Sequence, residues 1–308
     1  MSGRWSLTTF EDHSGRVQAG VRRADGAVVQ PEALKGYAGL AAALESWDDV
    51  SAALKHWNPD GLPAVEGARE VLSVRYPRKV ICAGANYHDH IAEMGGGEVP
   101  VNLAPYFFFV PPTTSVIGDR DAILVDDSQA ERTDWEAELA IVIGRGGYRI
   151  QRQEALSHIA GYASLSDITA RGLFPRKVSL APPFAWDWAG SKGRDTSTVL
   201  GAVTPAWQVE DPNDLAVRCW VNGELKQDGT TRDLIFSITE LVAAASEMCT
   251  LEPGDIIATG TPAGVGAAKG EQLHPGDVVR VEIEGLAAIE NTVELRASAQ
   301  QQDREGTK

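Results

Sequence analysis

The chemistry in this chain starts at Asp134-Trp135-Glu136-Ala137-Glu138-Leu139-Ala140-Ile141-Val142-Ile143-Gly144. Read as a strand, the segment alternates. Trp135, Ala137, Leu139, Ile141 and Ile143 share one face, and Glu136 and Glu138 share the other. Two neighbouring carboxylates repel each other and lose hydration if the site closes. A bound divalent cation would remove both costs. A solvated strand face is the plain alternative, and this segment by itself leaves both readings open. Asp167 closes a second strand, Gly161-Tyr162-Ala163-Ser164-Leu165-Ser166-Asp167, and adds a third hard oxygen ligand. With no soft ligand beside them, the three suit Mg2+, Mn2+ or Ca2+ and fit zinc poorly.

His90 and Glu93 stand three apart on a predicted helix over 87–94, so their side chains lie on one face. A carboxylate beside an imidazole fixes its tautomer and strengthens it as a proton acceptor, as a general base requires. A surface helix with an incidental ion pair is the other reading. Gly95-Gly96-Gly97 could be the hinge of a lid or a plain loop. His88 and His90 form an HxH, but His13, His56, His158 and His274 sit in no matching motif, so a histidine-based zinc site has no support. Lys192, in Lys192-Gly193-Arg194-Asp195-Thr196, could polarise a carbonyl or bind a carboxylate; a solvated lysine reads the same way. The loop Thr259-Gly260-Thr261-Pro262-Ala263-Gly264-Val265-Gly266 could cradle an anion with backbone N–H groups and the Thr261 hydroxyl. It matches neither the Walker pattern around Lys269 nor GxGxxG, since Gly270 falls one residue too far on.

These groups need elements to hold them. Residues 1–65 read as a small leading unit. It has a hairpin over 16–21 and 27–30 and two amphipathic helices near 38–46 and 48–57, and it ends at the Asn58-Pro59-Asp60-Gly61 break. From about 70 the pattern changes to strands separated by turns. Strands are predicted over 79–84, 106–110, 122–125, 136–144, 162–166, 216–221, 255–259 and 278–284. A helix over 154–161 leads into one of them. Another covers 238–249, with Leu241, Val242, Ala245 and Met248 on one stripe.

The chain has 308 residues, which suggests one large domain or two unequal ones. Its 31 glycines and 16 prolines favour turns between short strands over a helical bundle. A net charge of −15 argues against nucleic acid or anionic membrane as partner. An anionic substrate would then need a local positive site, which a metal ion could supply. Three cysteines, Cys82, Cys219 and Cys249, with neither CxxC nor metal-finger spacing, fit a reducing compartment. With no apolar leader and no apolar run of spanning length, the cytoplasm is the expected location.

Taken in order, Val80–Met94 (VICAGANYHDHIAEM), Asp134–Gly144 (DWEAELAIVIG), Gly161–Arg171 (GYASLSDITAR), Lys192–Thr196 (KGRDT), Val221–Gly229 (VNGELKQDG) and Thr250–Gly266 (TLEPGDIIATGTPAGVG) resemble the fumarylacetoacetate hydrolase superfamily. The resemblance covers about 75–295; it is loose over the first 70 residues. It implies an α+β fold with a rolled, mixed β-sheet core and few helices. The implied organisation is a small N-terminal domain (1–70), a catalytic domain (71–298) and a flexible tail (299–308), assembled as a homodimer. It further implies Mg2+ or Mn2+, with Ca2+ also fitting, on Glu136, Glu138 and Asp167. His90 with Glu93 would activate water or shuttle a proton, and Lys192 would bind substrate oxygen beside the metal. Thr261 would hold a carboxylate, and Arg171, Gly260 and Gln227 would complete the substrate contacts.

The implied activity is hydrolysis of a C–C bond in a β-diketo or acylpyruvate-type 2-oxo acid, through an enolate that the cation stabilises. Decarboxylation, isomerisation or tautomerisation of 2-oxo acids is the alternative. A silent metabolite-binding protein is disfavoured, because every ligand and the base are present. The chain departs from the family pattern at Gly172, in a longer stretch between Asp167 and Lys192, and in the residues after Lys192. Those departures leave the substrate open. Phe184, Trp186 and Trp188 suggest a bulky apolar group there, or only aromatic packing.

Overall fold

The computed structural model describes residues 4–126 and 132–296; the expected tail over 299–308 lies outside them. The central sheet runs in the order Tyr106–Val110, Val80–Gly84, Ile256–Ala258, Ala137–Ile143, Ile159–Asp167, Thr198–Leu200, Val116–Ile117, and Thr204–Pro205 also pairs with Ile159–Asp167. Every residue of Ala137–Ile143 and Ile159–Asp167 is buried, so the sheet is covered on both faces.

The alternation along the carboxylate strand explains how. Trp135, Ala137, Leu139, Ile141 and Ile143 enter one core cluster, with Val217, Val281 and Val293 of a second sheet and Ile238, Val242 and Ala245 of the helix Ile238–Met248. That second sheet has the order Glu224–Thr230, Ala216–Val221, Val278–Ile283, Ile289–Leu295, Ile123–Val125. Ala140 and Val142 point the other way, into a cluster with Trp5, Leu7, Val21, Leu40, Leu44 and Trp47. Those residues belong to a four-stranded N-terminal sheet (Val28–Val29, Val17–Arg23, Trp5–Glu11, Arg69–Val71) and the helices Leu40–Leu44 and Trp47–Leu54. The N-terminal sheet shares this core with the central one and is bridged to it, the Leu7 N–H donating to the Val203 carbonyl at 2.7 Å.

Three local expectations change. The predicted helix over 154–161 is only a short 3-10 turn, Ala155–His158, after which the strand begins at Ile159. Pairing of Ile159 with Ile143, and of Gly161 with Pro205, holds that backbone extended against its helical tendency. Trp5–Glu11, unassigned from sequence, is the middle of the N-terminal sheet and pairs over all seven residues with Val17–Arg23. Glu224–Thr230 also went unassigned. It returns against Ala216–Val221 through Asn222 and Gly223, both with positive φ (52° and 80°), as a tight hairpin demands.

Candidate active site and metal centre

Strand register places the carboxylates together. Glu138 pairs across from Leu165, and the Asp167 N–H donates to the Glu136 carbonyl at 2.9 Å, so Asp167 falls on the same sheet face as Glu136 and Glu138. One oxygen from each lies within 4.8 Å of the other two. All three residues are at most 5% exposed, so the solvated-face reading does not hold.

Two cations reach the same place. Lys192 Nζ donates to Glu136 at 2.7 Å and to Asp167 at 2.6 Å. Arg171 donates to Asp134 at 2.9 Å and to Glu136 at 2.5 Å. Asp134 is in turn held by the Gly266 and Ala267 N–H groups, at 2.6 and 3.1 Å. Burial opposes ionisation of Glu136, yet Lys192 and Arg171 hold its carboxyl down to about 2. Glu138 lacks such partners. Burial, then Asp167 and Glu136, push it well above the carboxylate range, and burial carries Asp167 up to about 6 despite Lys192. The Lys192 ammonium stays above its ordinary range, because Asp167 and Glu136 outweigh its burial.

The residues present fit a divalent cation. With all four ionised, Glu136, Glu138, Asp167 and Asp134 would carry four negative charges against two positive ones on Arg171 and Lys192. The excess of two is what such an ion cancels. Asp167 Oδ1 is buried with no hydrogen-bond partner. An orphaned acceptor of that kind is the place where a cation belongs.

The imidazole comes from a short helix, His88–Glu93, after the strand Val80–Gly84. His90 is 8% exposed, and its Nδ1 is 2.8 Å from Glu93 Oε1, which leaves Nε2 to act in the cavity. The other Glu93 oxygen accepts from the Gly264 N–H at 2.9 Å, and Asp89 accepts from the Ala263 N–H at 3.1 Å. Two carboxylates one turn apart therefore fasten the histidine helix to the 259–266 loop. Gly264 has φ +103°, and a Cβ there would stand 2.2 Å from the Lys226 carbonyl oxygen, so that loop conformation needs glycine. Gly95 and Gly96 close the helix by donating to the carbonyls of Ala92 and Ile91. His88 is exposed and takes no part in the cluster.

A cavity of about 240 Å3 brings together His90, Glu136, Glu138, Asp167, Arg171, Lys192, Gly260 and Thr261. Glu93 and Gln227 do not line it. Gln227 is spent on structure: it accepts from the Ala137 N–H and donates to Thr261 Oγ1 and the Pro262 carbonyl. The Thr261 hydroxyl donates to the Ala137 carbonyl, and the Gly260 N–H donates to Glu138. Of the three aromatics singled out, Trp188 lines the cavity, while Phe184 and Trp186 are 57% and 56% exposed. Asp89 and Asp134 were not assigned from sequence; the only signal was their position, one residue before His90 and two before Glu136. A larger polar hollow, about 620 Å3 beside Arg22, Glu70 and Asp119, contains none of these groups.

Residues 79–294 match the family described as fumarylacetoacetate (FAA) hydrolase C-terminal. The mitochondrial oxaloacetate tautomerase fahd2 of Xenopus laevis is 40% identical over 220 residues, covering 70% of this chain and 66% of that protein. Among solved structures, the fumarylacetoacetate hydrolase EaFAH of Exiguobacterium antarcticum superposes with a TM-score of 0.79 at 31% identity, covering 95% of this chain and all of that one (100%). The maleylpyruvate hydrolase of Sphingobium sp. SYK-6, in complex with manganese(II) and pyruvate, superposes with a TM-score of 0.74 at 28% identity, covering 95% and 100%.

Proposed function

The chain belongs to the fumarylacetoacetate hydrolase family, and on that premise we propose that it is a divalent-cation-dependent hydrolase that cleaves the C–C bond of an acylpyruvate-type 2-oxo acid. The observation that carries this reading is one cavity lined by both an oxygen-only carboxylate triad and a carboxylate-backed imidazole. Glu136, Glu138 and Asp167 would hold Mg2+ or Mn2+, with Ca2+ also compatible. The bound ion would supply Lewis acidity, polarising two chelating oxygens and stabilising negative charge as it develops.

The protein's own groups then do the rest. His90 takes a proton from water at Nε2, and Glu93 at Nδ1 stabilises the imidazolium. The water oxygen adds to the distal ketone, and the bond from that carbon to the methylene breaks. The departing enolate recovers the proton from His90, leaving a carboxylic acid and a 2-oxo acid. Lys192 and Arg171 offset the anionic charge of substrate and triad, and Thr261 and Gly260 shape the wall beside Glu138. Gln227, Asp134 and Asp89 position these groups.

Tautomerisation, isomerisation or decarboxylation of a 2-oxo acid on the same residues is a second reading, supported by the 40% identity to an oxaloacetate tautomerase. It needs the base and the charge stabilisation but no attacking water. The discriminating experiment is a metal-supplemented screen of acylpyruvates, oxaloacetate and cyclic diketones with products followed by NMR. Two acids from one substrate support hydrolysis, and a mass-conserving change supports the second reading. Full activity in excess EDTA would remove both. Three free thiols support a cytoplasmic setting.

A further inference from the structure

From the apolar side of the cavity we infer that the substrate's distal substituent is uncharged, apolar and flat, the size of a phenyl ring, and not a second carboxylate. This rests on the 2-oxo acid reading and deepens it. The cavity has two unlike sides. Its lining divides by chemistry: Glu136, Glu138, Asp167, Arg171 and Lys192 form a charged floor, and Ile91, Met94, Phe108, Phe174 and Trp188 form an apolar side.

The helix Trp188–Lys192 joins the two sides, because its first and last residues stand four apart and face the same way. Lys192 Nζ lies 5.8 Å from the Phe108 ring centre, so the apolar wall begins directly beside the charged floor. Trp188 stacks on Phe108 at 4.8 Å and meets Phe174 edge-on at 4.6 Å. Phe108 and Phe174 are both held against Trp188, so the three rings offer aromatic surface for a flat substituent to pack on. Ile91 and Met94 complete it from the histidine helix, Met94 being 53% exposed at the mouth.

Charge points the same way. Arg171 is bonded to Asp134 and Glu136, and Lys192 to Glu136 and Asp167. Apart from His90, no other cationic side chain lines the cavity among the described residues. Arg176 and Lys177, in the same segment as Phe174, are exposed and outside it. A carboxylate at the far end of the substrate would lose its hydration against aromatic rings and gain no partner. A phenyl or branched alkyl group would gain burial there.

The test pairs ligands that share the 2-oxo acid head and differ at the other end. Binding of phenylpyruvate and of oxaloacetate to the Mg2+-loaded protein is measured by isothermal titration calorimetry. Turnover is measured on acylpyruvates bearing a phenyl or a carboxyethyl group at the distal ketone. The phenyl member should lead by tenfold or more in Kd and in kcat/KM. Trp188→Arg, or Phe174→Arg if the first variant does not fold, should erase or reverse that order while Mg2+ still binds. Equal or tighter binding of oxaloacetate by the wild-type protein overturns the apolar subsite and leaves the 2-oxo acid reading standing. An unchanged order in the folded variant overturns the assignment to these rings. If Mg2+ binds and neither acid does, the 2-oxo acid reading itself falls, and the subsite with it.

Discussion

Three carboxylates side by side are tolerable in a buried site only if their charge is answered, and here it is answered unevenly. Glu136 has Lys192 and Arg171, whereas Glu138 has a single backbone N–H from Gly260 and two anionic neighbours. Glu138 is therefore the ligand with most to gain from a cation. Glu138→Gln, which keeps the shape and removes the charge, should weaken Mg2+ or Mn2+ binding by at least tenfold in calorimetry, with the circular dichroism unchanged. Undiminished affinity would remove Glu138 from the metal set. With His90 as the proposed proton acceptor, His90→Ala should lower kcat by about 100-fold. Because His90 lies outside the triad, metal affinity in that variant should stay within a few-fold of wild type; intact turnover would refute its role as base.

At the scale of elements, the site depends on where short helices end. The helix Ile238–Met248 packs Ile238, Val242 and Ala245 into the core cluster that also takes up Ala137 and Leu139 of the carboxylate strand. Its first turn is closed by Glu240, which accepts from the Ser237 N–H at 2.8 Å and from the Ser237 hydroxyl at 2.6 Å. Partial burial alone would raise Glu240, but the Ser237 bonds hold it below the ordinary glutamate value of 4.5. A carboxyl whose folded-state pKa is depressed stabilises the fold above its unfolded pKa, and that stability is lost as pH falls through the folded value. The stability difference between wild type and Glu240→Gln in urea should thus be up to about 1 kcal/mol at pH 7. It should shrink steadily below pH about 4.5. A difference independent of pH between 3 and 7 would show that the carboxylate charge is irrelevant to the cap.

For the whole molecule, the central sheet is the shared floor of two cores, with the site on the face turned toward the N-terminal sheet. The outermost strand, Tyr106–Val110, leaves Tyr106 and Phe109 about half exposed, at 50% and 49%. An apolar outer edge of this kind needs a cover, and the homodimer expected from the family would provide one. Light scattering at micromolar concentration should therefore read twice the 33.0 kDa of one chain. Tyr106→Glu with Phe109→Glu should shift it to the monomer mass; a wild-type monomer would exclude the dimer. No helix among the described residues is long and apolar enough to cross a membrane.

The carboxylate cluster was legible in the sequence in part, because two-residue alternation puts Glu136 and Glu138 on one strand face wherever that strand runs, and three oxygen donors without a soft one would suit a hard cation. His90 and Glu93 were legible for the same local reason, their spacing on one helix turn. Local periodicity says nothing about what lies across the space from an element. Burial of both sheet faces, the bonds from Asp89 and Glu93 to the 259–266 loop, and the clamp of Asp134 on Arg171 join residues 37 to 174 positions apart. The same limit applies to Gln227, whose motif drew attention but whose amide is consumed by Ala137, Thr261 and Pro262. It also applies to the aromatic stretch. Of Phe184, Trp186 and Trp188, equivalent by composition, both tryptophans pack on Phe174, but only Trp188 also stacks on Phe108 and lines the cavity. Strand periodicity was enough to say which chemistry the segment could support, because it acts between neighbours in the chain; what surrounds that strand depended on packing between distant segments.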